Sequence, residues 1–166
     1  GFLTSWMEMH GADVVSVEQQ ESDVWDFVPY HIDDESKWTS VISAKRRNNE
    51  MLKYSFWYTY NALGMKSKVH YGRANELPEE LGKFDISVIA MVLTHMRDPI
   101  STIISCARRT TGKMVIVERL HVSKEAQGKP VIQLIPDINN MRYDSWWYFS
   151  QEFFYQLMTL MGFRDI

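Results

Sequence analysis

The 166-residue chain is 45% hydrophobic with a formal charge of −3, long enough for one packed core and short for a second domain. That charge gives no general attraction to nucleic acid or anionic membrane, and no apolar run reaches the length of a membrane-spanning helix. The single cysteine, Cys106, excludes an intrachain disulfide and a thiolate-rich zinc site, so one domain over 1–166, without metal or membrane partner and in the reducing cytoplasm, is expected.

Residues 1–10 place Phe2, Leu3, Trp6, Met7 and Met9 at helical spacing, and Gly11 follows as a stop. Asp13-Val14-Val15-Ser16-Val17-Glu18 then reads as a β-branched strand ending on an acid. A carboxylate there either accepts the ribose hydroxyls of an adenosine, as in nucleotide-binding α/β folds, or is a solvated strand-end charge. Residues 19–53 read as a long loop, with the proline-interrupted aromatics Trp25 to Tyr30 and charge runs at 33–35 and 45–47. Lys45-Arg46-Arg47 is a solvated face or a phosphate contact. A helix is predicted over 50–63, with Leu52, Phe56, Tyr60 and Leu63 on one side and Gly64 as its stop.

Residues 68–72 form the next short strand and 73–78 the loop beyond it. The β-branched run at 86–90 predicts a strand covered on both faces. Thr94, His95, Arg97 and Asp98 follow its carboxyl end, where open α/β sheets place ligands. Asp98 and Pro99 open a helix over 100–109, with Ile100, Ile103, Ile104 and Ala107 facing inward. A turn at 111–113 leads into a strand over 114–118. The pattern then loosens as far as Trp146-Trp147-Tyr148, three aromatics that either wall a pocket or cover a sheet edge. Ser150 caps a last helix carrying Phe153, Phe154, Leu157, Met158 and Met161, and 164–166 begin another strand. The alternation of strands and helices predicts a mostly parallel sheet with right-handed crossovers.

Four features occur in one order: Glu18 after the early strand, Leu77-Pro78 with Phe84-Asp85, Val92-Leu93-Thr94-His95-Met96-Arg97-Asp98-Pro99, and Met161-Gly162-Phe163. In them the chain resembles a class I S-adenosylmethionine-dependent methyltransferase. Trp25-Asp26, Phe56-Trp57 before Ala62-Leu63-Gly64, and Trp146-Trp147 add a likeness to bacterial enzymes that carboxymethylate wobble uridine in tRNA.

The resemblance implies an α/β fold: a Rossmann-like, doubly wound sheet with helices on both faces. It also implies that the central first strand and most of a glycine loop precede Gly1, and that closing strands follow Ile166. S-adenosylmethionine would be held by Gly1, by Glu18 and Gln19 at the ribose, by Arg73, Ala74 and Asn75 near adenine, and by Ala90 and Met91 along the methionine half. Arg73 departs from the family, whose members often carry an Asp there; an arginine cannot accept the adenine amino group's hydrogen bond. That leaves Asn75, a backbone carbonyl or apolar contact around Ala74. His95 is either a general base or a histidine packed on the following helix, and Trp146, Trp147 and Tyr148 would wall the acceptor pocket. The function implied is methyl transfer to a small-molecule or RNA acceptor. The alternatives are carboxymethyl transfer to tRNA and a non-catalytic Rossmann-like interaction module. A nicotinamide oxidoreductase would share Glu18 but not the segment 95–99.

Overall fold

The computed structural model describes residues 1–19, 26–31, 35–139 and 141–166. They belong to two compact units, Gly1–Val24 with His31–Ala74, and Trp25–Tyr30 with Asn75–Ile166.

The first unit runs α1 (Phe2–Met9), β1 (Val15–Glu18), α2 (Glu35–Ala62) and β2 (Lys68–Tyr71). Gly11 ends α1 at φ 88°, a left-handed conformation that a side chain would resist. β1 and β2 pair in parallel with Glu18 opposite Tyr71, and the Gly72 N–H continues the ladder by donating to the Glu18 carbonyl at 2.9 Å. The half-buried Glu8 carboxylate accepts from the backbone N–H groups of Lys66 at 2.6 Å and Ser67 at 3.0 Å, fastening α1 to the segment that enters β2. Those bonds, the one from Lys66 first, hold its pKa below the ordinary value.

The loop expected over 19–53 is helical from Glu35 onward. Residues 20–25 and 32–34, which include Trp25, Asp33 and Asp34, lie outside the described residues. α2 buries no residue, so no apolar stripe disclosed its first half in the sequence. Its anchors come late, where Trp57 Nε1 donates to the Tyr71 hydroxyl at 2.7 Å and the Tyr60 hydroxyl to the Ser67 carbonyl at 3.0 Å.

The second unit runs β3 (Phe84–Ala90), α3 (Pro99–Arg109), β4 (Thr110–Val117), β5 (Ile132–Leu134), β6 (Trp147–Phe149) and α4 (Gln151–Leu160). β3 and β4 pair in parallel, β5 and β6 antiparallel. The expected caps form: Asp98 accepts from Ser101 N–H at 3.0 Å and Ser150 from Phe153 N–H at 3.1 Å. The core gathers Ile89, Leu93, Ile103, Phe149 and Met158, with Phe153, Phe154, Leu157 and Met161 packed around it.

The inward face of α3 is Pro99, Thr102 and Ile103, whereas Ile100, expected to point inward, is exposed. The turn expected at 111–113 lies within β4, where the register slips between Phe84 and Ile86. A Cβ at Gly112 would come within 2.6 Å of the Asp85 carbonyl oxygen, so the irregular crossing requires glycine.

The doubly wound Rossmann-like sheet is not what the chain forms. Among the described residues there are three separate two-stranded sheets, β1 with β2, β3 with β4, and β5 with β6. A doubly wound sheet needs strands hydrogen-bonded on both sides, and none of these has a second strand neighbour. The expectation that β3 is covered on both faces fails with it: Ile86 is 57% exposed and Val88 38%, and their neighbours Val115 and Val117 on β4 are bare as well. β-branched composition reports fitness for a pleated surface and says nothing about how many strands or layers flank it.

Candidate functional site

Two strand ends gather the functional side chains, one in each unit. In the first, Gly1 is the N-cap of α1 and Glu18 is the last residue of β1. The carboxylate of Glu18 accepts no hydrogen bond from the described residues, while its backbone carbonyl accepts from the Gly72 N–H. Partial desolvation by the surrounding protein pushes the pKa of this exposed residue above the ordinary 4.5. Gln19 and Arg73 are exposed residues just past β1 and β2, and Ala74 opens the 3₁₀ turn Ala74–Glu76.

In the second unit Ala90 ends β3 and Met91 follows at φ 54°. A non-glycine residue in the left-handed region is uncommon, and such strain persists where the surroundings enforce it. The Met91 N–H donates to the Val117 carbonyl at 2.8 Å, extending the parallel ladder by one bond. Its side chain is 50% exposed.

The turn that follows Met91 is held from the neighbouring strand. Glu118, one residue past β4, accepts through Oε2 from the N–H groups of Leu93 at 3.0 Å and Thr94 at 3.3 Å, and through Oε1 from Arg119 N–H at 3.0 Å. It thus satisfies the first donors of the 3₁₀ turn Leu93–His95. Thr94 then ties that turn to the aromatic segment: its hydroxyl donates to the Trp147 carbonyl at 2.8 Å and its carbonyl accepts from Trp146 N–H at 2.7 Å. His95 is braced through Nδ1 against the Asp144 carbonyl. A carbonyl only accepts, so Nδ1 carries the proton and Nε2 is the basic nitrogen of the neutral ring.

The three aromatics divide their work. Trp147 packs on the core, Tyr148 meets His121 edge to face with ring centroids 4.7 Å apart, and Trp146 is half-buried beneath Arg97. Asn75 lies in the turn Ala74–Glu76, the last adenine-side residue expected.

Three contributors escaped the sequence reading: Glu118, Asp26 and Asp144. Glu118 carried the same signal as Glu18, an acid at a strand's carboxyl end. Asp26, noted in the sequence only as part of the Trp25-Asp26 likeness, and Asp144 act across large sequence separations that no local pattern discloses. Among the described residues no group of three or more His, Cys, Asp or Glu side chains is arranged to hold a metal, and no helix is long and apolar enough to cross a membrane. No model of a known protein family, no curated protein and no solved structure matches the chain.

Proposed function

We propose that the chain binds S-adenosylmethionine and transfers its methyl group to an unidentified acceptor, a small molecule or an RNA, in the cytoplasm. The observation that carries this reading is Glu18: an exposed carboxylate at the carboxyl end of a parallel strand, its pKa raised by partial desolvation, with acceptor positions that no donor among the described residues fills. Two ribose hydroxyls are the donors such a group lacks. When bound, the cofactor supplies an electrophilic methyl group on a sulfonium, which leaves the protein the tasks of placement and exclusion of water. Within the first unit Glu18 accepts from the ribose, and Arg73 and Ala74 border the adenine. Where the acceptor must lose a proton, the resemblance makes His95 the general base.

A second reading, carboxymethyl transfer to tRNA, draws support from α2. That helix carries Lys37, Lys45, Arg46, Arg47 and Lys53 against only Glu35 and Glu50, in a chain that is acidic overall.

Calorimetry of the full chain with S-adenosylhomocysteine tests the first reading. Binding is expected, weakened by Glu18→Ala; no heat at saturating ligand removes it and leaves the interaction module ahead. Comparing the ordinary and carboxylated cofactors on unmodified tRNA tests the second, and inertness with both removes it.

A further inference from the structure

Arg97 is held more firmly than an exposed arginine ordinarily is. Its backbone N–H donates to Asp26 Oδ2 at 3.0 Å and its carbonyl accepts from Trp147 Nε1 at 3.2 Å, so the main chain is pinned from both sides. Its guanidinium lies over the Trp146 ring, 5.4 Å from the centroid. That ring is fixed in turn: its indole N–H donates to the Asp26 carbonyl and its backbone N–H to the Thr94 carbonyl at 2.7 Å. Asp26 therefore braces the arginine and its stacking platform together.

Stacking uses only the face of a guanidinium, while its N–H donors radiate in the plane. No carboxylate of the described residues pairs with the Arg97 guanidinium, and its donors have no acceptor among them. Asp98, the next residue, accepts from Ser101 in capping α3, and Asp26 Oδ2 accepts from the Arg97 amide. The result is a cation with a planar donor fork, much of its rotamer freedom already given up, on the loop that carries His95. Pre-organisation of this kind lowers the entropic cost of binding.

We propose that Arg97 is the anchor of an oxyanion-binding site, taking a carboxylate or phosphate group of a small ligand in a bidentate pair, with Trp146 as the platform and Asp26 as the brace. Both oxyanions match the fork geometry. The site stands apart from the cofactor reading, since neither its residues nor its test involves an S-adenosyl compound.

The test is a titration of the isotopically labelled full chain with inorganic phosphate, with acetate, and with chloride at matched ionic strength, following the Arg97 Nε–H and Trp146 Nε1–H signals by NMR. Phosphate or acetate is expected to move both signals saturably, with a dissociation constant on the order of 1 mM, whereas chloride does not. The better of the two oxyanions identifies the group the site takes. Arg97→Lys, which keeps the charge and loses the fork, should weaken binding roughly 10-fold, and Arg97→Gln should abolish it. The amide signals of Leu93 and Phe149 serve as the check that each variant is folded. An Arg97 signal that moves no more with phosphate and acetate than with chloride overturns the proposal, as does a folded Arg97→Lys variant that binds as tightly as the natural chain.

Discussion

At the carboxyl end of β1 the Glu18 carboxylate meets no donor from the described residues, whereas just past β4 that of Glu118 takes three backbone N–H groups. Both are acids at the tips of parallel strands, and a sequence offers no way to tell them apart. What separates them is the chain that follows. After β3 the backbone folds back into the turn Leu93–His95, whose unpaired N–H groups need an acceptor, and Glu118 is the one within reach. Its acceptor capacity goes into the fold. Beside Glu18 the available ladder donor, Gly72 N–H, bonds the backbone carbonyl instead, so the exposed carboxylate is left open to solvent or a ligand.

The contrast breaks most visibly through stability. Glu118→Ala strands donors of a partly buried turn and should cost about 2–4 kcal/mol in urea unfolding. A loss below about 0.5 kcal/mol would mean that these bonds contribute little. Glu18→Ala should do the reverse, leaving stability within about 0.5 kcal/mol while weakening S-adenosylhomocysteine by roughly 10-fold or more. Met91→Gly sharpens the picture of the second strand end: freed of the left-handed penalty, it should gain about 0.5–1 kcal/mol, read in the same denaturant series.

The smallest effects appear in melting temperature against pH. Glu18, with its pKa raised in the fold, gives a contribution present below its ordinary 4.5 that is lost as the pH rises through the raised value. Glu8, with its pKa lowered, contributes in the opposite sense, present above its ordinary 4.5 and lost as the pH falls through the lowered value. Glu18→Gln should therefore flatten the upper limb of the profile and Glu8→Gln the lower. Profiles unchanged by either substitution would contradict the assignment.

Local chemistry was readable in the sequence. Asp98, Ser150 and Gly11 do what their residue types dictate, and the apolar spacing of Phe153, Phe154, Leu157 and Met158 marked the helix face that meets the core. Arrangement was not. The sequence identified the segments that become β1 to β4 but not β5 or β6, predicted a strand at 164–166 that does not form, and did not show that the strands stop at pairs, and α2 has no buried face to give it a periodicity. Within the candidate site the single residues were visible, Glu18 and His95 among them. The bonds that decide their roles join residues such as Asp26 and Arg97, or Thr94 and Glu118, which only the folded chain brings together.

Glu18 itself is the place to test the account. Its carboxyl resonance can be titrated by NMR in the free chain and again with S-adenosylhomocysteine. Ribose hydroxyls donate to the charged carboxylate and favour it, so a midpoint above 4.5 in the free chain should fall when the ligand is added, while that of Glu8, whose donors already come from its own chain, stays in place. A Glu18 midpoint unmoved by saturating ligand would contradict the claim that this carboxylate is held for a nucleoside.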